Sequence, residues 1–503
     1  MNCRILVKAL LYLLMGLLSA SLAAAEIRDG QLWLEVLLAS GNKIEFASPN
    51  STEPVISVSE KNAPISRVFT GRLSIELFNT DKLAFWGFLN RSEPWTSQPE
   101  GYLAEKFTWQ DSSLVIQKEN LVFEETTFPG LDSARRYAQE TGIPENQIRS
   151  LPLINSTVRV TTDEGAEQYF ETPLLIHSDR PVYIGGIQLG FAGDFILKSV
   201  GGKMVVNHFI PLEQYVSGVV QNEIGNDAPM EALKAQAIAA RSHAVDLLLY
   251  NRHQNDGYDL CSGTHCQVYK GEYLLNDAVR EAVQATSGEI LTIKGKIAPS
   301  LYHSACGGKT ESSVNVWGGD PLPHLLGVTC IPEAQSYDLS QESQARLWIE
   351  TEVSTSGLTS WEKGALSWEK SIPRQTLAKN LGLAYLSRII INKRGFSGRI
   401  TDMSFIGEVP IRLTSEYKIR EAFGQAKSSF FYIRGPYAVN DDGSVEIVPG
   451  GTVSIKGKGS GHGVGMCQVG ARRMAAQGVS YREILSHYYP GTSISSDWMR
   501  HAQ

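Results

Sequence analysis

The sequence predicts an α+β chain, a strand-rich N-terminal region followed by a larger mixed domain, and three observations predict it. Stretches such as "LWLEVLLAS" and "SLVIQKENLVF" are strand-like and dominate as far as about Asn155. From about Thr172, strands such as "PVYIGGIQLGF" and "KMVVNHFI" lead into two segments with helical apolar spacing. The length, 503 residues of which 42% are apolar, is too great for one small core and enough for two or three domains. With 20% charged residues and a net charge of -7 there is no broad basic footprint, so nucleic acid is excluded as a partner.

Taken in order, residues 1–25 read as a secretory signal. Arg4 and Lys8 precede an apolar run, and Ala23 and Ala25 form an A-x-A cleavage pattern. The run from Ala9 to Leu18 is shorter than the roughly 20 apolar residues that span a bilayer. The mature chain is therefore expected in the periplasm or cell envelope, with no transmembrane segment once the signal is removed. Cys3 leaves with the signal. Cys261, Cys266, Cys306, Cys330 and Cys467 remain, an odd number in a compartment that permits disulfides, so at least one is unpaired or binds metal. Residues 26–175 form the strand-rich region, with one helix in "LDSARRYAQETG" ending at Gly142. Residues 176–495 form the second domain, interrupted at about 332–386 by a helical insertion that carries the near-repeat "SWEKGALSWEKS", after which strands resume at "RITDMSFIG".

The first helix of the second domain starts at Pro211, a good first-turn residue, and stops near Gly225, a good C-terminal cap. Leu212, Tyr215, Val216 and Val219 follow the helical period, and continuing that period lands on Glu223. Partial desolvation and the negative end of the helix dipole both disfavour the anion there and raise its pKa, as a general acid requires. The alternative is an ordinary glutamate on a frayed helix end. The next helix begins at Pro229 and is rich in alanine. Lys234 and Arg241, seven residues apart on one face, either point together at a ligand beside Glu223 or form a solvated basic stripe.

"DGYDLCSGTHCQVYKG" packs Cys261, His265 and Cys266 into six residues. These three suit a zinc ion whose fourth ligand comes from His253, His303 or Cys306, and a Cys261–Cys266 disulfide competes on equal terms. A catalytic thiol is the weaker third reading. "YHSACGGKTESS" ends like a phosphate loop, but His303 stands where the first glycine belongs, so the match fails. In "KGKGSGHGVGMCQVGARRMAAQG" four glycines from Gly459 to Gly465 surround His462. Such a collar lets the chain fold against a cleft and admit a bulky ligand while the imidazole supplies a directional hydrogen bond; a structural histidine in a tight loop is the alternative. A helix from about Gln468 to Gln477 follows, then a capping box of Ser480 and Glu483.

Read together, "PLEQYVSGVVQNEIG", "EALKAQAIAARSHA", "THCQVYKGE", "HSACGGKTESSVNVWGG", "RGFSGRI" and "GHGVGMCQVGARRMAAQGVSYREILSHYYPGT" resemble the SpoIID/LytB family of bacterial cell-wall proteins over roughly Tyr183 to Ser493. The order and combination of these strings make the resemblance specific. It implies a domain with a glycan-binding cleft and action on peptidoglycan. Members similar to the sporulation protein are lytic transglycosylases, and members similar to LytB are described as enhancers of a partner amidase. On this resemblance Glu223 matches the catalytic acid. Lys234, Gln236 and Arg241 fall on the helix that lines the groove, and His462 and Gln468 fall in the C-terminal string, as substrate-binding residues. Cys261, His265 and Cys266 fall where some relatives bind a structural zinc, and the chemistry itself needs no cofactor. The chain departs from the pattern at Ile224 and Gly225, where Met and Pro are usual, at Ser242 and His243, where Thr and Tyr are usual, and at Cys467, where serine is frequent. Separately, the strand, strand, helix, strand order at about 113–162 resembles a small glycan-binding repeat module of cell-wall proteins.

The implied reaction uses a single carboxylate, which would cut the bond between N-acetylmuramic acid and N-acetylglucosamine and leave a 1,6-anhydro sugar. The competing reading is a non-catalytic binder that stimulates an N-acetylmuramoyl-L-alanine amidase. A metal-dependent hydrolase at Cys261, His265 and Cys266 is the third. Expected partners are peptidoglycan glycan strands and a cell-wall amidase.

Overall fold

A computed structural model describes residues 26–28, 30–48, 55–60, 66–78, 86–94, 102–110, 112–128, 131–144, 147–150, 156–200, 202–250, 252–253, 256–271 and 276–498. The signal reading of residues 1–25 lies outside them. Among the described residues no helix is long and apolar enough to cross a membrane.

The chain has both helices and many strands in several sheets, as the α+β reading expects. Its largest element is a twelve-stranded sheet. Its main path runs Glu26–Arg28, Gln31–Gly41, Lys203–Pro211, Ile187–Val200, Leu174–Ile184, Lys43–Ala47, Leu73–Leu77, Thr157–Thr162, Glu167–Glu171. Period-two alternation builds it: Leu32, Leu34, Val36 and Leu38 point to one buried face, as do Leu73 and Ile75, Val158 and Val160, and Leu174 and Ile176. The division expected at residues 175 and 176 therefore passes through this sheet, because strands from both sides of it pair edge to edge and share one apolar face.

A second, four-stranded sheet has the order Ile148–Ser150, Trp86–Pro94, Ser113–Phe128, Tyr102–Gln110. The helix Leu131–Thr141 ends before Gly142, which takes φ +75 as a left-handed cap, and packs Ala134 and Ala138 against Ile148. The unit expected at 113–162 is thus drawn differently. Thr157–Thr162 pairs with Leu73–Leu77 in the large sheet, and the small sheet takes its remaining strands from earlier in the chain.

The helices that carry the candidate site come after the interior strand Lys203–Pro211, the first of them directly. Leu212–Glu223 (the glutamate helix) is preceded by Pro211 at its N-cap, and Met230–Leu249 (the alanine-rich helix) by Pro229 in the same position. All six alanines of the alanine-rich helix are buried, which lets the glutamate helix, Asp277–Ala285 and the C-terminal helices approach it closely.

The expected helical insertion at 332–386 does contain the helices Glu342–Glu350, Ser360–Leu366 and Arg374–Asn380. It does not end there. The strand Trp368–Pro373 pairs with Thr452–Gly457, and a five-stranded sheet from Arg388 to Ile447 fills the interval, so Trp368 to Ile455 build a second core of their own. The near-repeat inside it splits in two. In its first copy Ser360 to Lys363 open a helix capped by a Thr359–Glu362 box, whereas in its second Trp368 is buried in a strand. Tertiary pairing, not propensity, decides the second copy.

Candidate functional site

Glu223 is the last residue of the glutamate helix, and its side chain is half-buried. Oε1 accepts a hydrogen bond from the Val268 N–H at 2.9 Å, and Oε2 accepts one from Gln468 Nε2 at 3.4 Å. Gln468 Nε2 also reaches Gln236 Oε1 at 3.4 Å. The structure therefore gathers three of the expected residues, Glu223, Gln236 and Gln468, from positions up to 245 residues apart. Beneath them lies a layer of amide and phenol groups. Tyr302 donates to Gln267 Oε1 at 2.6 Å, and Gln267 donates to the Tyr215 hydroxyl and the Ala240 carbonyl. Gln267 and Tyr302 were not singled out from sequence, and Tyr215 was read only as an apolar position of its helix. Gln267 sits inside the quoted cysteine segment, but nothing local marks it as a neighbour of Glu223.

Burial pushes the Glu223 carboxyl above the usual carboxylate range, while the Val268 N–H and Gln468 oppose that shift by stabilising the anion. Arg472 donates to the Ile224 carbonyl at 3.0 Å and pairs with Asp227 and Glu362, placing a cation at the negative helix end.

Two of the expected ligand contacts are placed elsewhere. Arg241 is fully buried, its guanidinium forked onto the Glu213 carboxylate at 2.6 and 2.9 Å with a third bond to the Glu289 carbonyl. It locks the two helices together and has no face left for a ligand, because a buried guanidinium must be matched by its own chain. Lys234 pairs with Glu231 at 2.9 Å and lies over the Tyr481 ring, away from the pairing expected with Arg241.

His462 is tied inward. Its Nδ1 accepts from the Val464 N–H at 3.1 Å, and its ring lies between those of His303 and Trp317, with centroids 5.6 and 5.0 Å away. Burial, with His303 and Arg399 nearby, holds it well below its ordinary pKa and so neutral. The four glycines of the collar all have φ between +71 and +88. They are not left open for a ligand: a Cβ at Gly465 would overlap the Leu301 carbonyl oxygen, and one at Gly463 would overlap the Arg399 guanidinium. The collar is glycine-rich because it packs against its own chain. Arg399, from the "RGFSGRI" string, spans both sides by donating to the Cys306 carbonyl at 3.0 Å and to the Gly461 carbonyl at 3.4 Å. Lys309 of the phosphate-loop lookalike donates to the Tyr337 carbonyl at 2.8 Å.

Cys261, His265 and Cys266 are joined by His253, and the four ligand atoms lie within 4.8 Å of one another. All the described cysteines are free thiols. His253 Nδ1 is held by Asp256 at 2.8 Å, leaving Nε2 3.3 Å from the Cys266 sulfur. Two sulfurs and two imidazoles with a carboxylate behind one of them fit a tetrahedral zinc site. Of the three candidates for the fourth ligand, His253 is the one at this position; Cys306 lies in a different cluster. The segment is anchored at one end by Leu260–Cys261, which pairs in parallel with Gln31–Gly41, and continues at the other through Gln267 to the Val268 N–H that holds Glu223.

Comparison with known proteins bears on this arrangement. Residues 200–293 match the family described as Stage II sporulation protein, and residues 311–465 match a domain of unknown function (DUF8618). The chain is similar to an uncharacterized protein of Brachyspira hyodysenteriae, 30% identical over 62% of this chain and 73% of the relative. It is also similar to the Stage II sporulation protein D of Bacillus amyloliquefaciens, 29% identical over 57% of this chain and 74% of the relative. A further match is the Amidase enhancer of Bacillus subtilis, 28% identical over 56% of this chain but 40% of the relative.

Proposed function

Because the chain belongs to the SpoIID/LytB family and so has a cell-wall-related role, we propose that it is a peptidoglycan lytic transglycosylase with Glu223 as its single general acid and base. The observation that carries this reading is a carboxyl desolvated at a helix end whose hydrogen-bond neighbours are amides. Hydrolytic glycosidases usually pair two carboxylates, whereas an intramolecular transfer needs one. In the proposed reaction neutral Glu223 gives its proton to the glycosidic oxygen as that oxygen leaves C1 of N-acetylmuramic acid. The resulting carboxylate then takes the proton of the same sugar's 6-hydroxyl as O6 bonds to C1. The products are a 1,6-anhydro sugar end and a free 4-hydroxyl on N-acetylglucosamine, with Glu223 protonated again.

The Val268 N–H and the Gln468 amide orient the carboxyl, and Gln236, fully buried like Arg241, holds Gln468 from behind and has no face toward a sugar. Trp317, 56% exposed beside His462, offers a ring face on which a pyranose can stack. His253, Cys261, His265 and Cys266 would hold a structural zinc that supplies rigidity to the Gln267–Val268 segment and takes no part in bond cleavage. Residues 1–25 would direct the chain to the periplasm or cell envelope. Partners would be glycan strands and a cell-wall amidase.

The second reading, a non-catalytic stimulator of such an amidase, draws on the relative named Amidase enhancer. Mass spectrometry of products from purified glycan strands, with and without stem peptides, separates the two. Anhydro-sugar ends formed by the wild type and lost in Glu223→Gln support the transglycosylase, with a loss of about a hundredfold or more. Peptide release only when an amidase is added, unchanged by Glu223→Gln, overturns it in favour of the enhancer.

A further inference from the structure

A second cluster of metal-binding side chains lies apart from the Cys261–Cys266 segment. Cys306, Cys330 and Cys467 come from three separate stretches of chain, and their sulfurs lie within 4.8 Å of one another. Tetrahedral coordination at a zinc–sulfur distance of about 2.3 Å spaces sulfurs about 3.8 Å apart, so small side-chain rotations bring three to a common centre. Cys306 and Cys467 are 1% exposed, and Cys330 sits at the edge with its sulfur 3.0 Å from the Tyr488 hydroxyl.

The surroundings are arranged for thiolates. The Cys467 sulfur accepts from the Cys306 N–H at 3.2 Å and from the Gly470 N–H at 3.3 Å, the second because Cys467 is the N-cap of the helix Gln468–Ala476. The Cys306 sulfur accepts from the Gly308 N–H at 3.3 Å. Backbone N–H groups and a helix N-terminus both favour the anionic sulfur. Gly470 has to lack a side chain, since a Cβ there would run into the Cys330 sulfur and the Tyr488 hydroxyl. Three thiolates with a divalent ion leave one net negative charge, and the fully buried Arg399 guanidinium lies close by, bonded to the Cys306 carbonyl.

An independent observation points the same way. His303 is the register partner of Cys467 across the short ladder that joins Tyr302–His303 to Met466–Cys467. It is 4% exposed, its Nδ1 is held by the Val464 carbonyl at 3.1 Å, and its Nε2 is buried without a hydrogen-bond partner. With the proton on Nδ1, the bare lone pair on Nε2 is that of a neutral imidazole ready to coordinate.

We infer that Cys306, Cys330 and Cys467 form a three-thiolate site for a soft d10 cation such as Zn2+, with water or His303 as the fourth ligand. Such an ion would clamp the 302–308 segment, the Cys330 loop and the start of the Gln468 helix together. It would thereby fix the segment that delivers Gln468 to Glu223. This inference does not depend on the proposed reaction.

The test is the metal content of the full chain, purified anaerobically and reloaded with Zn2+ or Co2+ alone. The expected result is about two equivalents per chain, with X-ray absorption averaging about 2.5 sulfurs per metal. Cys261→Ser/Cys266→Ser should retain about one equivalent and a thiolate-to-cobalt charge-transfer band, and adding Cys330→Ser should abolish both. One equivalent in the wild type, averaging about two sulfurs, would overturn the site. So would thiol titration showing a disulfide within the Cys306, Cys330 and Cys467 group. The wild-type count decides the matter even where a variant does not fold.

Discussion

Glu223 is pulled two ways, and its pH behaviour reports the balance. Burial favours the neutral acid, whereas the Val268 N–H and the Gln468 amide favour the anion. Its folded pKa lies above the unfolded value, so the group contributes most to stability below the unfolded pKa, and that contribution is lost as pH rises through the folded one. Turnover that needs the proton should fall on the alkaline side across the same interval. Gln468→Leu removes a donor to the carboxylate, so the acid becomes weaker and the alkaline limb of the kcat/KM profile should move to higher pH. A limb that moves to lower pH, or stays in place, would show that Gln468 does not act on this carboxyl. Glu223 itself was legible in the sequence because helical periodicity is local. Gln236 and Gln468 were reached only through the family resemblance, Tyr215 only as an apolar helix position, and Gln267 and Tyr302 not at all, since contacts across 245 residues leave no local signal. The basic pair failed for a related reason: sequence places Lys234 and Arg241 on one face but does not show that Glu213 neutralises Arg241 from the neighbouring helix.

At the scale of elements, the collar and the helix after it act as one device. Gly465 has φ +71 and lies against the Leu301 carbonyl, whereas Gly478, with φ +84 at the end of the same helix, has nothing within 4 Å of its would-be Cβ. Both positions carry the left-handed penalty for a side chain, about 1–2 kcal/mol, but only the first adds a backbone collision. Gly478→Ala should therefore cost about 1 kcal/mol, and Gly465→Ala about 3 kcal/mol or more, read from urea denaturation midpoints. Equal losses would mean that conformation alone, not close approach, explains the glycines. Capping was the most legible part of these elements. The Ser480–Glu483 box and the stop before Gly478 stand where their residue types place them, because a cap is decided within four residues. The SWEK near-repeat was illegible for the opposite reason: its second copy becomes a strand only through Thr452–Gly457, some eighty residues later.

For the whole molecule, the decisive fact is that the described residues form two large cores. One unites the twelve-stranded sheet, the site helices and the C-terminal collar, and both cysteine clusters belong to it. The other, Trp368 to Ile455, is built around the Arg388–Arg394 and Ile400–Ile406 hairpin. The sequence shows where strands lie but not which of them share a sheet, so the boundary expected at residue 175 fell inside the first core and the insertion was drawn too short. The two cores should respond differently to metal removal. An ion held at about a hundred times its dissociation constant stabilises the state that binds it by about 3 kcal/mol per site. Stripping metal should then lower the melting transition of the first core by about 6–12 °C for each site lost. Amide exchange locates the effect. Protection should fall at Leu260 and Val36, which pair beside the first cluster, and at Tyr302 and Met466, which pair beside the second. Ile389 and Phe405, opposite one another in the second core, should keep theirs. If chelation loosens that hairpin as much as the ladders beside the cysteines, the chain unfolds as a single cooperative unit and the division into two cores has no energetic meaning.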